Sequence, residues 1–344
     1  MSGDYALSQE RSNRVKTVKN RVIGLSIVVT LAIVLATGIA CAESADESDA
    51  RGTLYLVDQD WNGQLVTTAV AQILLEQEME HTVATKFAPA DSAPLFIGLE
   101  RGDFHFVCCN WPSYSAALLE EYVDAEDAEV ERMGTVGISG ETGWYVPSYV
   151  IHGDAERGIE AVAPDLRTVS DLNKYKDVFA TSDTGSKGRL LEFTAAWDTR
   201  PEERLEAFGA DFQVVFAGSE GAALAELDAA FQRGEPILTY LWEPHWAHAK
   251  YNLVQIEMPE WTPDCYPDGS NFNCGFPTDA VAKLIWPGLE DEFPEAYEFL
   301  TRFQMTNEEQ NEIVLNLTEN DLTVRQAAQE WVDANESIWR AWIP

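Results

Sequence analysis

The 344-residue chain reads as an α/β protein whose basic unit is built twice. Short apolar runs alternate with helically spaced ones over residues 53–109, and the alternation returns over 178–241. In both stretches the strands run out into turns that carry tryptophan. Alternating strands and helices form a parallel sheet covered by helices. Such sheets bind ligands at the carboxyl ends of their strands.

The elements follow in order. Thr53–Val57 is a β-rich run that ends in the turn Asp58-Gln-Asp-Trp-Asn-Gly63. Gln64–Gln77 carries Leu65, Ala69, Ile73 and Leu74 at helical spacing. His81–Phe87 reads as a strand, Ala93–Leu99 as a helix closed by Arg101-Gly102, and Phe104–Cys109 as a strand stopped by Asn110-Trp-Pro112. A second unit opens near Trp144. There Val178–Thr181 is predicted as a strand, with Asp183-Thr-Gly-Ser-Lys-Gly188 leading into a helix from Arg189. Phe212–Phe216 is a strand, Gly221–Gln232 a helix, and Pro236–Leu241 a strand ending in Trp242-Glu-Pro-His-Trp246. From Pro294 onward the pattern is helical.

Charge divides the chain. The total is 23 Lys+Arg against 58 Asp+Glu, a formal net charge of −35. Residues 1–40 hold five of the basic and two of the acidic side chains, so the remainder carries 18 against 56, or −38. A surface so acidic excludes sequence-independent nucleic-acid binding and broad docking on anionic lipid. Only six of those 18 cations are lysine, a composition suited to a saline setting where charge repulsion is screened.

The basic stretch precedes an uncharged run, Val22–Ala40, that ends in small residues before Cys41. This is the pattern of an export leader over residues 1–42. Three outcomes fit it: cleavage after Ala42, lipidation of Cys41 at the imperfect lipobox Gly38-Ile-Ala-Cys41, or an uncleaved anchor. All three place the body outside the cytoplasm, in the periplasm or at the outer face of the membrane. With Cys41 lipidated, four cysteines remain. Cys265 and Cys274 bracket a turn-rich loop suited to a disulfide. Cys108 and Cys109 are neighbours on a strand, where side chains alternate, so buried free thiols are expected. The loop's Asp264, Asp268, Asn271 and Asn273 have oxygens enough for Ca²⁺, but the spacing is not an EF-hand. A plain disulfide-closed loop is preferred, and neither cofactor nor metal is expected.

Enzyme chemistry finds little footing. No Gly-x-Ser-x-Gly elbow occurs, His152 has no partner in view, and Gly185-Ser-Lys-Gly188 lacks full Walker spacing. Among so many acids a glycosidase pair is uninformative, although tryptophan-lined clefts keep a carbohydrate-active protein as the alternative class. The aromatic turns say more. A methylated ammonium spreads its charge over methyl groups, so salt bridges hold it poorly and aromatic ring faces hold it well. Trp61, Trp111, Trp144 and Trp242 are therefore candidates for a ligand cage, while Trp197, Trp286, Trp331, Trp339 and Trp342 are assigned to core packing.

Four segments in order resemble the substrate-binding proteins of glycine betaine/choline-type ABC importers. They are Gly98-Leu-Glu-Arg-Gly-Asp103 followed by a strand and Asn110-Trp-Pro112, Gly143-Trp-Tyr-Val-Pro-Ser-Tyr149, Thr168-Val-Ser-Asp-Leu172, and Trp242-Glu-Pro-His245. The resemblance covers most of residues 52–344 and implies a two-lobed, type II periplasmic-binding-protein fold with its ligand in the interlobe cleft. The implied first lobe is 51–141, the second 142–254, and 255–344 returns to the first lobe with the C-terminal helices. It implies a non-enzymatic receptor that delivers glycine betaine, or alternatively trimethylamine N-oxide or choline, to an ABC permease. Trp61 and Trp111 would line one face, and Trp144 and Trp242 the other. Choline-specific members place Asp where this chain has Gly63, which argues against choline. Thr184, Gly185, Ser186 or His245 would meet a carboxylate, and Glu121 an N-oxide oxygen.

Overall fold

The computed structural model describes residues 52–265 and 272–344. The leader, Cys41 and the greater part of the 264–274 loop lie outside these residues. Among the described residues no helix is long and apolar enough to cross a membrane, and no group of three or more His, Cys, Asp or Glu could hold a metal ion.

Nine strands form one sheet. They are β1 (Leu54–Asp58), β2 (Val83–Phe87), β3 (Phe106–Asn110), β4 (Glu131–Pro147), β5 (Gly188–Glu192), β6 (Phe212–Phe216), β7 (Leu238–Glu243), β8 (Leu253–Ile256) and β9 (Asp279–Ile285). Their spatial order is β2-β1-β3-β9-β4-β7-β5-β6, with β8 also paired to β4. In each half the first strands pair in parallel, β1 with β2 and β3, and β5 with β6 and β7. β9 inserts antiparallel between β3 and β4.

β4 joins the halves. Its 17 residues pair with β9 over Glu131–Gly140, then with β7 and β8 over Glu141–Pro147. The chain thus changes half-sheets within a single strand. The C-terminal helices pack back on the first half. Gln310 of helix Asn307–Glu319 donates to the Gly63 carbonyl at 3.0 Å, and Arg325 pairs with Glu76 at 2.6 Å.

Burial explains the helix of the first half. Asn62–Gln77 is apolar on nearly every face, and its buried residues include Val66, Val70, Ile73 and Leu74. It lies between sheet and C-terminal helices, so a single apolar stripe would not suffice. Two expectations fail in the second half. The segment near Val178 is a short 3₁₀ turn, Lys176–Val178, and the chain from Gly188 is strand β5, not a helix. Gly188-Arg-Leu-Leu-Glu192 alternates poorly because both its faces are covered, the signature of a central parallel strand. The cysteines divide as well. Cys265 and Cys274 are joined, with sulfurs 2.07 Å apart. Cys108 and Cys109 are joined too, against the expectation of free thiols. The pairing register of β3 with β9 shifts between Val107 and Asn110, so strict side-chain alternation does not hold there.

Candidate binding site: an aromatic box at four strand ends

Each half-sheet sends two tryptophans to its carboxyl edge. Trp61 follows β1, Trp111 follows β3, Trp197 follows β5, and Trp242 is the penultimate residue of β7. Together with Ala90, Asp91, Tyr114, Thr142 and Tyr240 they enclose a cavity of about 40 Å³. The indoles stand nearly perpendicular to one another. Ring centres are 6.1 Å apart for Trp61–Trp111 at 75°, 6.1 Å for Trp61–Trp242 at 87°, and 5.3 Å for Trp197–Trp242 at 81°.

Backbone economy sets two of these walls. A Cβ on Gly140 would stand 2.3 Å from the Trp111 ring, and one on Gly63 would stand 2.6 Å from the Trp61 ring. The Trp111 ring leaves no room for a Cβ on Gly140, and Trp61 together with the Gln310 amide leaves none on Gly63. Gly63 is therefore more than a missing aspartate: its place is filled by the cage.

The polar lining is acidic. Asp91, in a left-handed conformation at φ 47°, accepts from Asn110 Nδ2 at 2.5 Å and from the Trp111 backbone N–H at 3.2 Å, both through Oδ1. The Asp91 side chain lines the cavity. Burial pushes the Asp91 carboxyl up to about 8, and the nearby Asp279 and Asp60 charges add to the rise against those two hydrogen bonds. Asp91 is thus a neutral, hydrogen-donating acid at neutral pH. The Tyr114 hydroxyl donates to Thr142 Oγ1 at 3.0 Å and lies 3.1 Å from the Tyr240 hydroxyl. Burial pushes both phenols up, so both stay neutral. Among the described residues no Lys, Arg or His lines the cavity.

The box brings together Trp61, Trp111 and Trp242, but not Trp144. Thr142 sits opposite Trp242 in the β4–β7 ladder and lines the cavity, whereas Trp144 sits opposite Tyr240, one same-face step deeper. There it is fully buried against Phe208, at 6.0 Å between ring centres. The fourth wall is Trp197, which the sequence reading placed in the core. Its signal was a tryptophan five residues beyond a strand, hidden because β5 was read as a helix. Gly185 and Ser186 lie exposed before β5, at the amino end of the strand and away from the box. Glu121 is exposed on the short helical turn Glu120–Asp124 and does not line the cavity. His245 is buried beneath the wall: its ring meets Trp242 edge-on at 4.9 Å, and its Nδ1 accepts from the Ala247 N–H at 3.1 Å. The Nε2 proton that this leaves points at Glu220, 3.3 Å away.

The substrate-binding domain of ABC-type glycine betaine transport systems matches residues 52–334. The chain belongs to this family. A trimethylamine N-oxide-binding protein from Pelagibacter ubique (strain HTCC1062) is 26% identical over 333 residues, covering 93% of this chain and 98% of that one. Among solved structures, a glycine betaine/L-proline-binding protein from Borrelia burgdorferi superposes with a TM-score of 0.66 at 20% identity, covering 85% of this chain and 97% of that one. A choline-binding protein of an ABC transporter, in complex with choline, gives 0.64 at 21% identity, covering 85% and 92%. The fold is that of a type II periplasmic binding protein, as the resemblance implied. Proteins of this family are the solute receptors of transport systems, and the box stands where the two lobes of such a fold face each other.

Proposed function

We propose that the protein is an exported receptor that encloses a compact methylated amine between two lobes, 51–141 with 255–344 and 142–254, and presents it to the permease of an ABC importer. The observation that carries this reading is the box of Trp61, Trp111, Trp197 and Trp242 around one neutral acid. Each desolvated ring face adds roughly 0.5–2 kcal/mol of cation–π attraction. The Asp91 O–H then meets the oxygen at the ligand's other end. Of the amines considered, trimethylamine N-oxide suits this lining best. It is the smallest, it needs one donor and no basic side chain, and a relative matched along nearly its whole length carries that ligand in its name. Glycine betaine, the first expectation, brings a carboxylate for which the lining offers no cation. An oligosaccharide finds no room in a cavity this small. Export rests on the leader, and a mature chain starting at an unmodified Glu43 would exclude lipid on Cys41.

Titration of trimethylamine N-oxide, glycine betaine, choline and carnitine against tryptophan emission, repeated from pH 6 to 9.5, tests the reading. An N-oxide bound by the protonated Asp91 loses affinity as pH rises through about 8, approaching tenfold per unit above it. A choline hydroxyl donating to ionised Asp91 gains affinity over the same range. Asp91→Asn keeps a donor and a residue tolerant of positive φ, so it should flatten the profile. Absence of any response to methylated amines would sink the proposal.

A further inference from the structure

The turn that carries Trp61 also grips the opposite lobe with the residues on either side. Trp197 Nε1–H donates to Asp60 Oδ2 at 3.1 Å across 137 positions of sequence. Asn62 donates its backbone N–H to Glu220 Oε2 at 2.8 Å and its Nδ2–H to Oε1 at 3.3 Å. Glu220 opens helix Glu220–Arg233 of the second lobe and is buried, and His245, under the Trp242 wall, donates to the same Oε1. Asp60 and Asn62 thus reach both structures that place the second-lobe walls of the box.

We propose that Asp60 and Asn62 form a latch that fastens the second-lobe walls of the box, Trp197 and Trp242, to the first lobe when the lobes close. Neither residue lines the cavity; both are positioning residues, and the inference rests on the ligand reading above. Three features support it. Trp197 sits on a short 3₁₀ turn, Ala195–Trp197, stacked on Phe193 of its own lobe at 5.7 Å, and the polar edge of its indole is held from the first lobe by Asp60. Glu220 is a buried carboxylate whose hydrogen bonds come from Asn62 and His245, with no Lys or Arg among these partners. A buried carboxyl group left without its hydrogen-bond donor is costly, so parting of the lobes exchanges Asn62 for water and closure restores it. The contacts also flank Trp61, so a ligand that seats Trp61 brings both into register.

A latch made only in the closed form should govern escape and not entry. Stopped-flow tryptophan fluorescence with the tightest-binding amine should show Asp60→Leu raising the dissociation rate at least tenfold while the association rate stays within about twofold. Asp60→Asn, which keeps an acceptor for Trp197, should restore most of the difference, and Asn62→Ala should show a smaller rise. The melting temperature of the unliganded variants should stay within a few degrees of wild type, because the latch acts on the share of unliganded molecules that are closed and not on the core of either lobe. An unchanged dissociation rate in Asp60→Leu, with wild type binding normally, overturns the proposal. If no amine binds wild type, the ligand reading falls and small-angle scattering of unliganded protein judges the latch. A larger radius of gyration for Asp60→Leu than for wild type supports it, and identical curves overturn it.

Discussion

Two glycines and one acid determine the chemistry of the box at the residue scale. Gly140 gives the Trp111 ring its floor, so Gly140→Ala must push the indole into the cavity. Gly140 has no left-handed backbone requirement, so the substitution should cost little stability and act on the site. We expect a ligand affinity at least tenfold weaker, with melting within a few degrees of wild type, measured by calorimetric titration and thermal denaturation. Asp91 shows why part of the site could not be read beforehand. It lies in Pro89-Ala-Asp-Ser92, an ordinary turn sequence, and its role depends on Asn110 and Trp111 arriving from another strand. Nothing local marks it. Glu121 was the sequence's candidate for a carboxylic acid near the ligand, but it stands exposed on the turn Glu120–Asp124, outside the box.

Element-scale patterns were legible wherever one helix or strand stood alone. The helices starting near Asn62, Ala93 and Glu220 and the strands β1, β3, β6 and β7 fall within two residues of their expected ends or close to it, because punctuation and periodicity agree there. β5 was lost because a doubly covered strand has no alternation to see, and Trp197 was lost with it. β9 was lost for a related reason: Asp279-Ala-Val-Ala-Lys-Leu-Ile285 contains a lysine where a central strand should be apolar. Lys283 is nonetheless almost wholly buried. Its ammonium donates to the carbonyls of Leu300, Thr301 and Phe303 at 2.7, 3.0 and 2.9 Å. These are carbonyls at the end of helix Pro294–Arg302 that have no partner further along the helix. Lys283→Met, close in volume, would leave three buried acceptors bare, and we expect a loss of roughly 3 kcal/mol or more in denaturant unfolding. A loss under about 1 kcal/mol would show that water replaces the ammonium there.

Acidity takes two forms in the whole molecule. Most of it coats the surface, as the arithmetic of the chain implied, but some carboxyls are deep inside. Burial pushes Glu192 up to about 8, as it does Asp91. Both bind a proton more tightly folded than unfolded, so the stability they give is present in full below about pH 4 and lost as pH rises through about 8. The melting temperature should therefore fall between pH 5.5 and pH 8.5 by roughly 2–4 °C or more. In the double variant Asp91→Asn, Glu192→Gln that fall should shrink; an undiminished slope would place its source on the surface. The two-lobed plan was legible through four ordered motifs, while only the opening of a second unit near Trp144 was seen, and the strand that changes half-sheets, β4, was not read as a strand. Its exposed first part alternates weakly and carries Gly134 and Gly137, both at positive φ.

The perpendicular packing of the four indoles has an optical consequence. Chromophores 5.3–6.1 Å apart and fixed edge to face couple their electronic transitions, and two of these four belong to each lobe. The near-ultraviolet circular dichroism of the protein should then change as the lobes part, because the Trp61–Trp242 pair spans them while the other two pairs lie within one lobe. The molecule would report its own state of closure, unlabelled, through the same rings that hold its cargo.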